Sequence, residues 1–152
     1  MKIIFNTKDL ISKIRNIAPT AEAKQTLVIL GNMVIKVDAG IALFTASDLE
    51  IQVSSSIPCE CSENGEFSLP ARKLLEILNA LSSHNQVTFS VSESKVDITA
   101  GKSKISLPTL PTADFPYMDK QDIGDIKEIA SDDLINIINK TSFAMAYQDA
   151  RH

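Results

Sequence analysis

Residues 26–57, TLVILGNMVIKVDAGIALFTASDLEIQVSSSI, carry the pattern from which the fold follows. Gly31 to Val37 and Ile41 to Ala46 are dense in β-branched and apolar side chains, the composition of half-buried strands. Asp38-Ala39-Gly40 joins them, with a glycine able to take positive φ in a short turn. Asp48-Leu49-Glu50 then reverses the chain into Ile51 to Ile57, where Ile51, Val53, Ser55 and Ile57 alternate with their neighbours. The stretch predicts a three-stranded antiparallel meander with one apolar face. That face needs a cover, and the flanking segments supply it as helices.

Upstream, Lys2 to Asn6 reads as a strand, and a helix follows from Thr7, the expected N-cap, to about Ala18. Leu10, Ile11, Ile14 and Ile17 form one apolar stripe; Lys8, Ser12, Arg15 and Asn16 lie opposite, with Lys13 at the border. Downstream, Cys59 to Gly65 reads as a loop, Glu66 to Leu69 as a short strand, and Pro70 as the start of a second helix over 71–81. Its stripe is Leu74, Leu75, Leu78 and Leu81. Three more strands follow: Val87-Phe89-Val91, Val96-Ile98-Ala100, and Lys102 to Leu107.

The order strand, helix, three strands therefore occurs twice. Leu10-Ile11-x-x-Ile14 recurs as Leu74-Leu75-x-x-Leu78. A third copy opens later, where Thr7-Lys8-Asp9-Leu10-Ile11-x-x-Ile14 is echoed by Ser131-Asp132-Asp133-Leu134-Ile135-x-x-Ile138, preceded by an expected strand from Ile126 to Ala130. The fold class is α+β, two such repeats with helices on one face and antiparallel sheets outside. The expected organisation is a first domain over 1–116, a linker over 117–124 marked by Pro116 and Asp119, and the truncated start of a second domain over 125–152.

At 152 residues, 44% hydrophobic and 22% charged, the chain has an ordinary globular make-up. A net charge of −4 opposes indiscriminate adhesion to nucleic acid or anionic lipid but leaves room for a local basic face. No apolar run has bilayer length, and Met1 to Phe5 turns polar at Asn6, so no signal-peptide core is present. Cys59 and Cys61 are too close for an ordinary disulfide framework. The expectation is a reduced, cytoplasmic protein with no membrane partner.

Five spaced motifs then stand in order: Thr26-Leu27-Val28-Ile29-Leu30-Gly31-Asn32, Asp48-Leu49-Glu50, Pro70-Ala71-Arg72-Lys73, Thr109-Leu110-Pro111-x-Ala113-Asp114-Phe115-Pro116, and Phe143-x-Met145-Ala146-x-Gln148-Asp149-x-Arg151. Together they resemble the bacterial DNA polymerase III β-subunit family, the DNA sliding clamps, over essentially the whole chain. Lys24-Gln25 and Val28 stand where that family typically has Arg-Pro and Pro, which makes the loop before Thr26 less rigid. The resemblance implies a DNA-clamp fold and a non-catalytic processivity factor without cofactors. Its implied partners are double-stranded DNA, the replicative DNA polymerase, a clamp loader, and a second copy in a head-to-tail ring when full length.

A sliding ring must attract phosphates without reading bases, which calls for basic side chains on the helices facing the hole. Lys8, Lys13 and Arg15 on the first helix and Arg72 on the second fit that role. On charge pattern alone they also fit a solvated helix face. The resemblance adds Lys24, Gln148 and His152 as DNA-contacting positions. It assigns a subunit interface to the last strand of the first domain, with Ile105 and Leu107 packing apolar against apolar and Lys73, Lys102 and Lys104 facing acids. Otherwise that strand is an edge guarded by lysines.

Catalytic and metal readings find little support. Asp48-x-Glu50 is commoner as turn chemistry than as a metal site, even with Asp114 nearby in composition. Cys59-Glu60-Cys61 lacks a second ligand pair for zinc, with His84 the other nitrogen donor before the terminus. The five glycines are scattered singly and form no phosphate cradle. A stand-alone α+β interaction module and a metal-dependent nuclease using Asp48 and Glu50 are the competing functions.

Overall fold

In the computed structural model, which describes residues 1–21, 27–118 and 128–145, strand β1 (Lys2–Asn6) runs directly into helix α1 (Thr7–Ile17). The cap is Asn6 and not Thr7: the Asn6 side-chain oxygen accepts from the backbone N–H of Lys8 (3.0 Å) and Asp9 (3.2 Å). An Asn side chain satisfies two of the orphan donors of the first turn at once. Thr7 is instead fully buried as the first helical residue, its N–H donating to Asn85 O and its hydroxyl without a partner among the described residues. The expected stripe of Leu10, Ile11, Ile14 and Ile17 is buried throughout.

The meander forms as β2 (Asn32–Asp38), β3 (Ile41–Ser47) and β4 (Gln52–Pro58). Val28–Gly31 is a 3₁₀ turn, so β2 starts one residue later than expected. Both turn residues between β2 and β3 take positive φ, Ala39 at 47° and Gly40 at 79°, the geometry that matches strand twist in a two-residue hairpin. Ile51 falls in the β3–β4 turn and is 57% exposed, outside the alternation expected of it.

Within the expected loop from Cys59 to Gly65 lies a short strand, β5 (Glu60–Cys61), paired with β1. β6 (Gly65–Pro70) leads into α2 (Ala71–Ala80), followed by β7 (Gln86–Val91), β8 (Lys95–Ala100) and β9 (Ser103–Pro108). Lys102 belongs to the turn at Gly101 (φ 56°), so β9 begins at Ser103. In α2 the buried face includes Ala71 and Ile77, whereas Leu75 is half-buried at its margin.

The repeats exchange strands. One sheet has the order β5-β1-β7-β8-β9 and the other β4-β3-β2-β6. Each unit of three consecutive strands thus takes its fourth from the opposite repeat. The two exchanges match in detail, since Asn6 pairs with Gln86 at the start of β7 and Pro70 pairs with Asn32 at the start of β2. Both sheets turn their apolar faces onto α1 and α2, and one continuous core joins them. At its centre Phe5 meets Phe44 of the other sheet (centroids 5.9 Å) and Phe89 of its own (5.1 Å, edge-on).

The segment after β9 straps the outer face of the four-stranded sheet. Phe115 packs with Ile29, Val34 and Leu110, and Tyr117 stacks edge-on against Phe115 while its hydroxyl donates to Glu66 (3.3 Å). Burial, then the Glu66 charge, pushes the Tyr117 phenol up to about 12. The strap is pinned at fully buried Ser68, whose hydroxyl donates to Leu110 O (2.9 Å) and accepts from Leu110 N–H (3.0 Å) and Asn32 Nδ2 (2.9 Å). Its single proton and both lone pairs are used. Ser68→Ala strands three buried partners and is expected to lower stability by about 2–3 kcal/mol in urea unfolding, against less than about 0.5 for exposed Ser56→Ala.

The chain divides into two compact units, Met1–Met118 and Asp119–His152. The second contains α3 (Ser131–Thr141), with Asp132 and Asp133 in its first turn and Lys140 in its last, complementing the helix dipole. Glu128 to Ala130, the described part of the strand expected over 126–130, has no strand structure. A strand needs a hydrogen-bonded neighbour, and this unit contains none among its described residues.

Candidate nucleic-acid interface

Residues spaced three and four apart on α1 present Lys8, Ser12 and Arg15 along one line, with Asn16 beside them. With Asn79 and Ser82 from the α2 side they line a surface groove over Ile11. A second hollow is lined by Arg72, Leu75, Glu76 and Asn79 together with Ala18 and Pro19. Asn79 belongs to both, so Lys8, Arg15 and Arg72 share one helix face. Among the described residues no carboxylate lies within ion-pair distance of these three. Glu76 is held by Lys73 at 2.9 Å, both strongly exposed, a helical pair contributing about 0.2–0.5 kcal/mol. The face offers charged donors and amide or hydroxyl groups, the chemistry that holds phosphates without reading sequence.

The other expected contact positions divide. Lys13 is exposed on α1 but lines neither hollow. Lys24, Gln148 and His152 lie outside the described residues.

β9 is the end strand of its sheet, hydrogen-bonded to β8 alone. Leu107 is only 6% exposed and belongs to this chain's own core, with half-buried Ile105 packed beside it. Lys104 Nζ lies 2.9 Å from Asp97, which also accepts from Ser106 Oγ at 2.6 Å and has Lys95 at 3.6 Å. These contacts, the Ser106 hydroxyl first and then Lys104, hold the Asp97 carboxyl down at about 2. Since that value lies below the unfolded one, the contribution is complete above the ordinary carboxylate range and vanishes as pH falls through about 2. β9 thus presents its free backbone edge and exposed Lys102, with Lys104 already engaged.

Asp48 is used by its own turn. Its Oδ1 accepts from Ile51 N–H (2.7 Å) and Glu50 N–H (2.9 Å), which lowers its pKa and holds Leu49 at φ 80°. Among the described residues no group of three or more His, Cys, Asp or Glu side chains converges. His84 packs on Gly101 at the β8–β9 turn, at the far end of the sheet from Cys59 and Cys61. Burial, then the neighbouring Cys61, pushes the Cys59 thiol up to about 11. Among the described residues no helix is long and apolar enough to cross a membrane. Sequence reasoning missed Ser82 as a groove residue and Ser68 as the anchor of the strap; neither has a periodic signal, and only the packing of distant segments reveals them.

Comparison with known proteins gives a consistent result. The family description "DNA polymerase III beta subunit, N-terminal domain" matches residues 1–119. The beta sliding clamp of Pseudomonas aeruginosa is 33% identical over all of this chain and 42% of that protein. A beta sliding clamp sequence from Vibrio harveyi is 32% identical over 95% of this chain and 100% of that sequence. Among solved structures, the Pseudomonas aeruginosa sliding clamp bound to griselimycin superposes with TM-score 0.91 at 34% identity, covering 100% of this chain and 42% of that one. The Caulobacter crescentus pol III beta structure gives 0.92 at 27% identity, covering 100% and 41%. The chain thus spans about 42% of the length of the first curated relatives it matches.

Proposed function

The chain belongs to the DNA polymerase III beta-subunit family, and on that footing we propose that it supplies the first domain of a sliding clamp that encircles duplex DNA. In this reading 1–116 is the first clamp domain, 117–124 the linker and 125–152 the opening of the second domain. The observation that carries it is the shared face of Lys8, Arg15 and Arg72 on two helices backed by outward sheets. Phosphates passing that face meet charge without base-specific contacts, so the duplex is held and still moves. Lys13 and Lys24 extend the face, and Gln148 and His152 add contacts from the second domain.

β9 is the joint of the ring, closing head to tail on a second copy. Its unpaired backbone edge extends the sheet across the subunits. Lys73, Lys102 and Lys104 meet acids of the other copy, and Ile105 and Leu107 flank the seam. The clamp catalyses nothing. In the cytoplasm it is placed on DNA by an ATP-driven loader and tethers the replicative polymerase, raising its effective concentration at the primer end.

The test is topological. Full-length protein loaded on nicked circular DNA is expected to stay bound through gel filtration and to be lost once the circle is linearised. Equal retention on both forms would instead mark an ordinary binding module and end the ring reading.

A further inference from the structure

The chain crosses from one sheet to the other at Cys59. β4 ends at Pro58 on the four-stranded sheet, and β5 begins at Glu60 on the five-stranded one. Cys59 N–H still donates to Gly40 O at the β2–β3 turn (2.8 Å), while Cys61 already pairs with Ile3. Continuing that register places Cys59 beside Phe5, with which it lines a surface hollow. Ile3 and Phe5 both face the core, so both cysteines point to the same side, half-buried at its rim. Alternate residues of a straight strand stand about 7 Å apart, but the crossing bends the chain and the two free thiols are in hydrogen-bond contact.

We propose that Cys59 and Cys61 form a two-thiolate chelate for a soft cation of low coordination number, with Cu(I) as the ion that fits. The donor count selects this class. Structural zinc takes four ligands, and no third His, Cys, Asp or Glu joins the pair among the described residues. Glu60, between them, alternates to the opposite face of the strand. Thiolates prefer Cu(I), and Met1, packed against the same core as the two cysteines, adds a thioether of the same softness. Binding forms two S–Cu bonds and releases two thiol protons to solvent, with no change in oxidation state. A cation between the sulfurs also cancels the repulsion that two bare thiolates would exert on each other. The pair lies at the opposite end of its sheet from β9, so the proposal does not depend on the clamp reading.

The experiment is an anaerobic titration of the reduced chain with Cu(I) against bathocuproine disulfonate. One equivalent per chain is expected. Cys59→Ser and Cys61→Ser should each weaken binding by at least about 100-fold, more than loss of a supporting contact around a metal produces. X-ray absorption on the unsubstituted protein should show sulfur as the main nearest neighbour of copper. Failure to compete with the chelator, undiminished binding by either folded variant, or a nitrogen and oxygen shell overturns the proposal; the last holds even if the variants misfold.

Discussion

Phe5→Ala is expected to destabilise the first unit by about 3–5 kcal/mol, a large part of the 5–15 kcal/mol typical of a whole domain. The side chain is 1% exposed and touches aromatic rings from both sheets, so truncation leaves a cavity that neither sheet can close alone. Because β1 is contributed by the first repeat to the sheet of the second, the lost contact also couples the two halves. Urea unfolding should remain a single transition, since neither repeat owns a complete sheet, with the midpoint lowered by about 1–3 M. A loss under about 1 kcal/mol, or two separate transitions in the unsubstituted protein, would contradict this account of the core.

The same exchange marks the limit of what could be read from the chain. Leu10, Ile11, Ile14 and Ile17 announce their helix face because 3.6-residue periodicity is local, and all four are buried as expected. The β2–β3 hairpin was legible for the same reason, with turn chemistry and strand pattern contained in a few residues. Which strand β1 chooses is not local, and it pairs with β7, some eighty residues away along the chain. β5 was missed because Glu60 and Cys61 have no pattern of their own; only the open edge of β1 makes them a strand. At the helix ends, Asn6 and Thr7 are both good caps by composition, and the burial of Thr7 decides between them.

The candidate site was legible in halves. Each helix shows its polar line in sequence, but whether Lys8 and Arg15 share a face with Arg72 depends on how α1 packs against α2. The structure brings those three together and leaves Lys13 off the groove. For the β9 edge, alternation correctly separated Ile105 and Leu107 from Lys104. It could not tell that Leu107 is consumed by the chain's own core or that Lys104 is engaged by Asp97.

Replacing Lys8, Arg15 and Arg72 together by Ala in a full-length clamp is expected to weaken its hold on DNA without preventing ring closure. Each phosphate contact contributes about 0.9 to the slope of log affinity against log salt, so six lost charges in a two-copy ring set an upper bound of about five. A reduction of about 2–5 is expected, because a duplex tilted in a wide ring does not touch every residue at once. The measurement is retention on circular DNA across a salt series, with subunit association followed separately by light scattering. Lys13→Ala is the internal control: an equal charge lost from the same helix but outside the groove should alter the slope by less than any one of the three. If Lys13 counts as much as Arg15, net charge rather than the shared face governs binding. If the triple variant leaves the slope unchanged, the duplex does not pass over this groove at all.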